Sequence, residues 1–391
     1  MAHVFVTDAQ RRKSLAVVRS LGRRGIRVTA GEETRNAVAF YSRYCDQAVV
    51  YPSPTRTPEL FIEWLLEEVL RHRYTAVIPT NEQTLTPISQ HLEELSKHTV
   101  VPIPDFQTYM RARDKAQTMR VAAEQGIPCP RTYAVDGPDS LDALEKNLDY
   151  PVVIKPREGS GSSGVTYVKR RGEFKASYLR IDRQYPKPLV QEFIPPGGAA
   201  CGVSALFDRN SEPLAVFVHK RLREYPVSGG PSTLRESVCD PELAALGVRM
   251  LKALKWYGVA MVEFKTDPRD QQPKLMEVNP KFWGSLELAI HAGVDFPYLL
   301  YKLAAEGAVE PVRDYRVGVR CRWLPGDFLH FLFAPNRLKL IPEFFNFFDE
   351  RTHYDVFSSK DDIKPMFGLL RFSLTRSFDP SMWKYILYRQ Q

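Results

Sequence analysis

The sequence predicts an α/β chain of more than one domain, and three stretches carry that prediction. Residues 1–105 alternate short apolar runs with amphipathic helical patterns, as a small doubly wound parallel sheet requires. From Tyr150 to Ile194 an apolar strand ends in a lysine and a glycine-serine loop, YPVVIKPREGSGSSGVTYVK. From Ala260 to Val278 two strands joined by the polar loop DPRDQQP form a hairpin that carries acids. At 391 residues the chain is too long for one ordinary core, so two or three domains are expected.

Taken in order, His3 to Thr7 reads as a strand and Arg11 to Arg24 as a helix stopped by Gly25. Ile26 to Ala30 is the next strand, which completes a βαβ opening. No phosphate fingerprint occupies its first turn, so no nucleotide is assigned there. Leu60 to His72 reads as an amphipathic helix, Ala76 to Pro79 as a strand, Leu92 to His98 as a helix and Val100 to Pro102 as extended chain. Asp114 to Gln125 is a helix, with Gly126 as its stop and Pro128 and Pro130 beyond. Val203 to Phe207 and Leu214 to His219 alternate like antiparallel strands around the turn Asp208-Arg209-Asn210. Glu242 to Leu254 is helical.

Composition excludes several classes. No apolar run is long enough to span a bilayer. The opening MAHVFVTDAQRRK lacks the shape of a signal peptide. The five cysteines are scattered and never in CxxC spacing, so neither a disulfide framework nor a zinc site is expected, and a cytoplasmic setting follows. A formal net charge of +8 suits an acidic ligand, an anionic surface or nucleic acid. No nucleic-acid-binding motif is present, so no nucleic-acid partner is expected. The basic cluster Arg11, Arg12, Lys13, Arg19, Arg23, Arg24 and Arg27 falls mostly on the first helix, opposite Leu15, Val18 and Leu21, and reads as a solvated helix face.

The chemistry concentrates in two places. The run Val152-Val153-Ile154 delivers Lys155, and Pro156 stops the strand before Gly159, Ser160, Gly161, Ser162, Ser163 and Gly164. Backbone N–H groups in such a loop can approach an anion because no Cβ stands in the way, and the lysine adds a point charge. A plain surface hairpin is the other reading. In the second place, Glu277 and Asn279 share one strand face, and Glu263 on the partner strand meets Glu277 if the register is right. Two carboxylates and an amide oxygen suit a hard cation that also holds phosphates. A solvent-facing edge hairpin is the alternative.

These motifs resemble those of the ATP-grasp superfamily, in the family's order, over roughly Arg111 to Glu310. They are RDK with Lys115, VVIKP with Lys155, the GSGSSGV loop, QEFI at 191–194, MVEF with Glu263 and MEVNPKFWGS. Within the superfamily the chain is similar to carbamoyl-phosphate-synthase-like carboxylate–amine ligases. The resemblance implies a pre-ATP-grasp (biotin-carboxylase-N-like) domain at 1–110, an ATP-grasp fold at 111–310 and an aromatic-rich extension at 311–391. It implies ATP with Mg²⁺ or Mn²⁺ as cofactors. Lys115 and Lys155 would contact phosphates under the loop Gly159 to Gly164. The link Gln191, Glu192, Phe193 and Ile194 would read adenine through the backbone of Glu192 and Ile194. Glu263, Glu277 and Asn279 would hold metal. Two departures stand out: PPGGAACG after the link has no acid for ribose hydroxyls, and Lys281 stands where the family often has arginine.

The reaction so implied joins a small-molecule or peptide carboxylate to an amine through an acyl phosphate, with release of ADP and phosphate. Lys281 would steady the acyl phosphate or the tetrahedral intermediate. Arg221 or Arg235, flanking the small polar loop Ser228 to Thr233, would hold a substrate carboxylate by paired hydrogen bonds, a basic solvent loop being the other reading. A carboligase, a kinase or a non-catalytic nucleotide-binding scaffold at a membrane surface are the alternatives. For the stretch FLHFLFAPNRLKLIPEFFNFFDE, cover of the core, subunit pairing in a homodimer and peripheral membrane contact are the three expectations.

Overall fold

A computed structural model describes residues 2–377 except 136, 138, 160–163 and 228, with backbone alone for 374–377. Among these described residues there are three sheets. The first joins β1 (His3–Val6), β2 (Arg27–Glu32), β3 (Gln47–Val50) and β4 (Ala76–Ile78) in the order β3-β2-β1-β4. All its pairs are parallel, as the βαβ opening requires. The helices Arg12–Gly22 and Pro58–His72 return the chain between strands, and Gly25 takes φ +72 after the first of them.

The first helix corrects one expectation. Lys13 and Arg19 are buried, not solvated, and Arg12 is partly covered. The Arg19 Nε donates to Asp362 at 2.9 Å, and its Nη2 donates to the Asp362 and Val356 carbonyls. Arg12 pairs with Asp355, and Lys13 donates to the Phe282 carbonyl at 2.9 Å. The cations are accommodated because the last third of the chain packs its acids against this helix. Arg11, Arg23, Arg24 and Arg27 remain exposed.

The second sheet is antiparallel, in the order β5-β8-β6-β7, from β5 (Thr132–Tyr133), β6 (Val152–Lys155), β7 (Thr166–Val168) and β8 (Leu189–Glu192). The expected return strand after the glycine-serine loop is β7. The third sheet has seven strands. They are β9 (Ala200–Phe207), β10 (Pro213–Glu224), β11 (Ser232–Ser237), β12 (Gly258–Thr266), β13 (Pro273–Asn279), β14 (Arg320–Arg322) and β15 (Thr352–Tyr354). Their order is β13-β12-β9-β10-β11-β14-β15, antiparallel except for the last pair. The helix Pro241–Ala253 lies on β9 and β12, around a core that includes fully buried Trp256.

Two local expectations change here. β10 does not stop at His219 but runs to Glu224, and the polar segment from Ser232 onward is strand β11, not loop. Thr233, Leu234 and Arg235 are buried because β14 pairs with the far side of β11. The stretch after residue 311 therefore completes the large sheet. Its helices Leu324–Phe333 and Arg337–Phe344 pack Phe331 on Phe344 with ring centroids 4.3 Å apart. Asp327 and His330 face the core, while Phe328, Leu338, Phe345 and Phe348 are exposed. Among the described residues no helix is long and apolar enough to cross a membrane.

Candidate functional site

The site begins where β6 ends. Val152 and Ile154 are buried, which fixes the strand and carries Lys155 to its edge at 7% exposure. Burial, with help from nearby Lys115, lowers the Lys155 ammonium to about 8 against the pull of Glu277. Its Nζ lies 3.5 Å from the Met276 carbonyl of β13. Lys115 opens the helix Lys115–Glu124, whose cap Asp114 accepts from the Ala116 N–H at 2.8 Å and pairs with Arg157. That pair ties the helix start to the β6 loop, and the Lys115 N–H donates to the Arg157 carbonyl at 2.9 Å. Lys115 Nζ donates to the Gly159 carbonyl at 2.8 Å and lies 3.3 Å from Glu277. Two lysines and a helix N-terminus so converge beside one carboxylate. Gly159 and Gly164 take φ +108 and +74, as glycine allows. Ser160, Gly161, Ser162 and Ser163 lie outside the described residues.

The acidic hairpin brings its two acids face to face, with a register shift between Glu263 and Phe264. Glu263 of β12 is the direct partner of Glu277 of β13, and Met261 of Asn279. The Asn279 Nδ2 donates to Glu263 at 3.0 Å and to Glu277 at 3.4 Å. Burial, assisted by Glu277, raises the Glu263 carboxyl against the pull of Arg221. For Glu277 burial acts in the same direction, but Lys115, Lys155 and Lys281 outweigh it and hold the carboxyl below its usual value. The donor set fits a hard divalent cation: two facing carboxylates and an amide whose oxygen comes into range on a half-turn of the group.

The link is held from both sides. Gln191 is buried at the centre of the second sheet and donates to Thr132 Oγ1 at 2.8 Å. The Glu192 N–H donates to the Arg131 carbonyl, and the Glu192 carboxylate lies 3.3 Å from Arg269. Phe193 meets Tyr167 of β7 edge-on at 5.6 Å. The Ile194 carbonyl accepts from Lys265 Nζ at 3.0 Å. Beyond it Gly197 takes φ +109, and a Cβ on Gly198 would stand 1.8 Å from the Thr266 carbonyl oxygen. The glycine pair lets the link lie directly on β12.

The three expected catalytic groups part company. Lys281 is buried and pairs with Glu82, the first residue of the helix Glu82–Gln90. Burial would raise the Glu82 carboxyl, but Lys281 outweighs it and holds it low. Arg221 faces the hairpin and pairs with Glu263. Arg235 is its cross-strand neighbour, yet it is fully buried and turned to Asp355, with Cys321 3.6 Å away. It lies not on a polar loop but inside the sheet, closed in by β14. Ser228 of that loop lies outside the described residues.

The family model for the ATP-grasp domain matches residues 112–285. This part of the chain is similar to an ATP-grasp domain. D-alanine–D-alanine ligase B of Chromobacterium violaceum is 30% identical over 163 residues, covering 40% of this chain and 53% of that enzyme. D-aspartate ligase of Enterococcus faecium is 26% identical over 264 residues, 61% of each chain. The chain therefore spans between half and two thirds of the length of these relatives. Biotin carboxylase from Campylobacter jejuni, solved as a beta-gamma-ATP complex, superposes with a TM-score of 0.69 at 17% identity over 81% of this chain and 74% of that one.

The matched segment contains every candidate site residue read from the sequence, and Glu82, the partner of Lys281, lies outside it. A topological signal marks Glu82: it follows the carboxyl end of β4, where doubly wound sheets form their crevices. A second acidic cluster, Glu287, Cys321 and Asp355, has ligand atoms within 4.8 Å of one another. It does not suit a cation, because Arg12, Arg19 and Arg235 already face those carboxylates. The Cys321 thiol donates to Asp355 at 2.9 Å, and burial pushes it well above its ordinary value, against thiolate ligation.

Proposed function

We propose that the protein is an ATP- and Mg²⁺-dependent carboxylate–amine ligase that forms an amide through an acyl phosphate and releases ADP and phosphate. One observation carries the reading: the facing pair Glu263 and Glu277 stands directly beside Lys115, 3.3 Å from Glu277, and Lys155. Acids that close to two lysines suit a shared occupant of mixed charge, a metal with phosphates. Glu263, Glu277 and Asn279 would hold Mg²⁺ or Mn²⁺, which supplies charge neutralisation at phosphate oxygens. Lys115 and Lys155 bind the phosphates and orient the terminal one. The Glu192 carbonyl and the Ile194 N–H face the purine edge. Arg221 takes the acceptor carboxylate by paired hydrogen bonds. Lys281, held by Glu82, supplies positive charge where the tetrahedral intermediate forms. The division in this reading is 1–110, 111–310 and 311–391, the last supplying β14 and β15 to the large sheet.

The substrates in this reading are small-molecule or peptide carboxylates and amines, the setting is cytoplasmic, and the chain associates as a homodimer. Membrane contact through 311–391 is favoured by one feature, the exposed Phe328, Leu338, Phe345 and Phe348, and is read by co-sedimentation with vesicles. Calorimetry with MgADP, with and without chelator, tests the nucleotide site. Metal-dependent binding is expected; equal, negligible heat from folded protein overturns the assignment. An ADP-release screen over mixed acids and amines, with mass analysis, then reads the bond formed. An amide supports ligation, and a carboxylated or phosphorylated product replaces it.

A further inference from the structure

A nucleotide in this cleft needs a partner for its ribose, and the stretch after the link does not supply one. PPGGAACG holds no acid. A side chain at Gly198 is excluded by the Thr266 carbonyl, and Gly197 takes φ +109. The partner has to come from another element.

We propose that Glu224, the last residue of β10, accepts the ribose hydroxyls of the bound nucleotide. This rests on the nucleotide site proposed above. Position is the first argument. Lys265 reaches the Ile194 carbonyl of the link, and Glu224 is one of the two acids that act on Lys265. On its other side the Glu224 carboxylate stands 4.0 Å from Arg221, which in turn pairs with Glu263. Glu224 therefore lies between the purine-edge link and the metal carboxylates. The sugar must lie in that interval, because it joins base to phosphates. The Tyr167 ring packs on Phe193 of the link, and its hydroxyl is within reach of the charge of Glu224.

Support is the second argument. The main-chain oxygen of Glu224 bonds to His330 Nδ1 at 2.7 Å, and the Gly230 N–H donates to its carboxylate. The strand end is thus fixed by the helix Leu324–Phe333 and by the turn that follows β10. The side chain is 30% exposed and 4.0 Å from its cation, so it is neither sealed nor closed in a tight ion pair. Chemistry is the third. A carboxylate accepts two hydrogen bonds side by side, which matches a vicinal diol, and hydrogen bonds to a charged acceptor are the strong ones.

The test compares MgADP with Mg-2′-deoxy-ADP by calorimetry, on wild type, Glu224→Gln and Glu224→Ala. ADP is a product in this scheme, so nothing turns over. Wild type is expected to prefer ADP on the order of tenfold, the worth of one charge-assisted hydrogen bond. Glu224→Ala should bind both equally, and Glu224→Gln, which keeps one acceptor oxygen, should fall between. No preference in wild type, or an unchanged preference in the folded variants, overturns the role of Glu224 and leaves the nucleotide site standing. Binding of neither nucleotide by folded wild type overturns both.

Discussion

Replacing Arg235 separates a structural cation from a substrate-binding one. Its side chain is fully buried, with Asp355 as its acid and Arg12 as the second guanidinium on that acid. Breaking a buried ion pair by removing one partner costs about 3–5 kcal/mol. Arg235→Ala leaves Asp355 its contact with Arg12, so the lower end, ~3 kcal/mol, applies. Asp355→Ala strands two guanidinium groups and should cost the upper end, ~5 kcal/mol. The double variant should lose less than the sum, because the Arg235–Asp355 pair can be broken only once. With a urea dependence of roughly 2 kcal/mol per molar, Arg235→Ala moves the denaturation midpoint by about 1.5 M. The assay is urea unfolding followed by tryptophan fluorescence, on both single variants and the double. A wild-type midpoint for Arg235→Ala, with a raised Michaelis constant for the acceptor, refutes the structural role and returns Arg235 to the acceptor site.

Three further outcomes are expected. Glu277→Gln keeps the shape of a group that faces Glu263 and contacts Lys115, so turnover should fall by at least about a hundredfold while the urea midpoint moves little; normal kinetics remove it from the metal site. Arg221→Ala should raise the Michaelis constant of the carboxylate substrate by roughly tenfold or more, with MgADP affinity changed far less; the opposite pattern places Arg221 in the nucleotide site. Burial, with repulsion from Asp355, raises Glu287 to about 7 from an ordinary 4.5, so the folded chain holds a proton that the unfolded chain has lost between those values. Stability from this group is full below 4.5 and declines as pH rises to 7, and Glu287→Gln should flatten that slope in urea midpoints taken at pH 5 and pH 7.

The sequence carried the parts of the site that depend on strand period. Glu277 and Asn279 share a face by the two-residue period and Lys155 ends a strand whose neighbours are apolar, whereas Glu263 meets Glu277 through a register shift between Glu263 and Phe264 that the period alone does not give. Contacts between distant segments left no such trace. The basic face of the first helix has the pattern of a solvated surface, and only acids more than three hundred positions later reverse that reading. Arg235 has the same history. Its neighbours Ser232 and Thr233 are turn formers by composition, and they become strand because β14, over eighty residues on, supplies the other edge. Lys281 was legible as a cation following Asn279 and Pro280, but its acid, Glu82, belongs to a different sheet's crevice.

The same long-range logic ties the C-terminal stretch to the chemistry. Asp327 pairs with Arg322 and stands 3.3 Å from Arg223, while it accepts from Thr233 Oγ1 at 3.0 Å. His330, one turn on, bonds the main chain of Glu224. One helix therefore grips β10 and β11 on both sides of the segment 225–231. Arg221 and Glu224 lie at the end of β10 that this helix holds, on the side of the sheet that bears Glu263. Arg223 faces the other way, onto Asp327. The register of β10 on β11 shifts between Arg221 and Arg223 and again before Glu224, and this turns Arg223 away from its two neighbours. The helix Leu324–Phe333 is thus mechanically part of the site even though its own side chains lie behind the sheet.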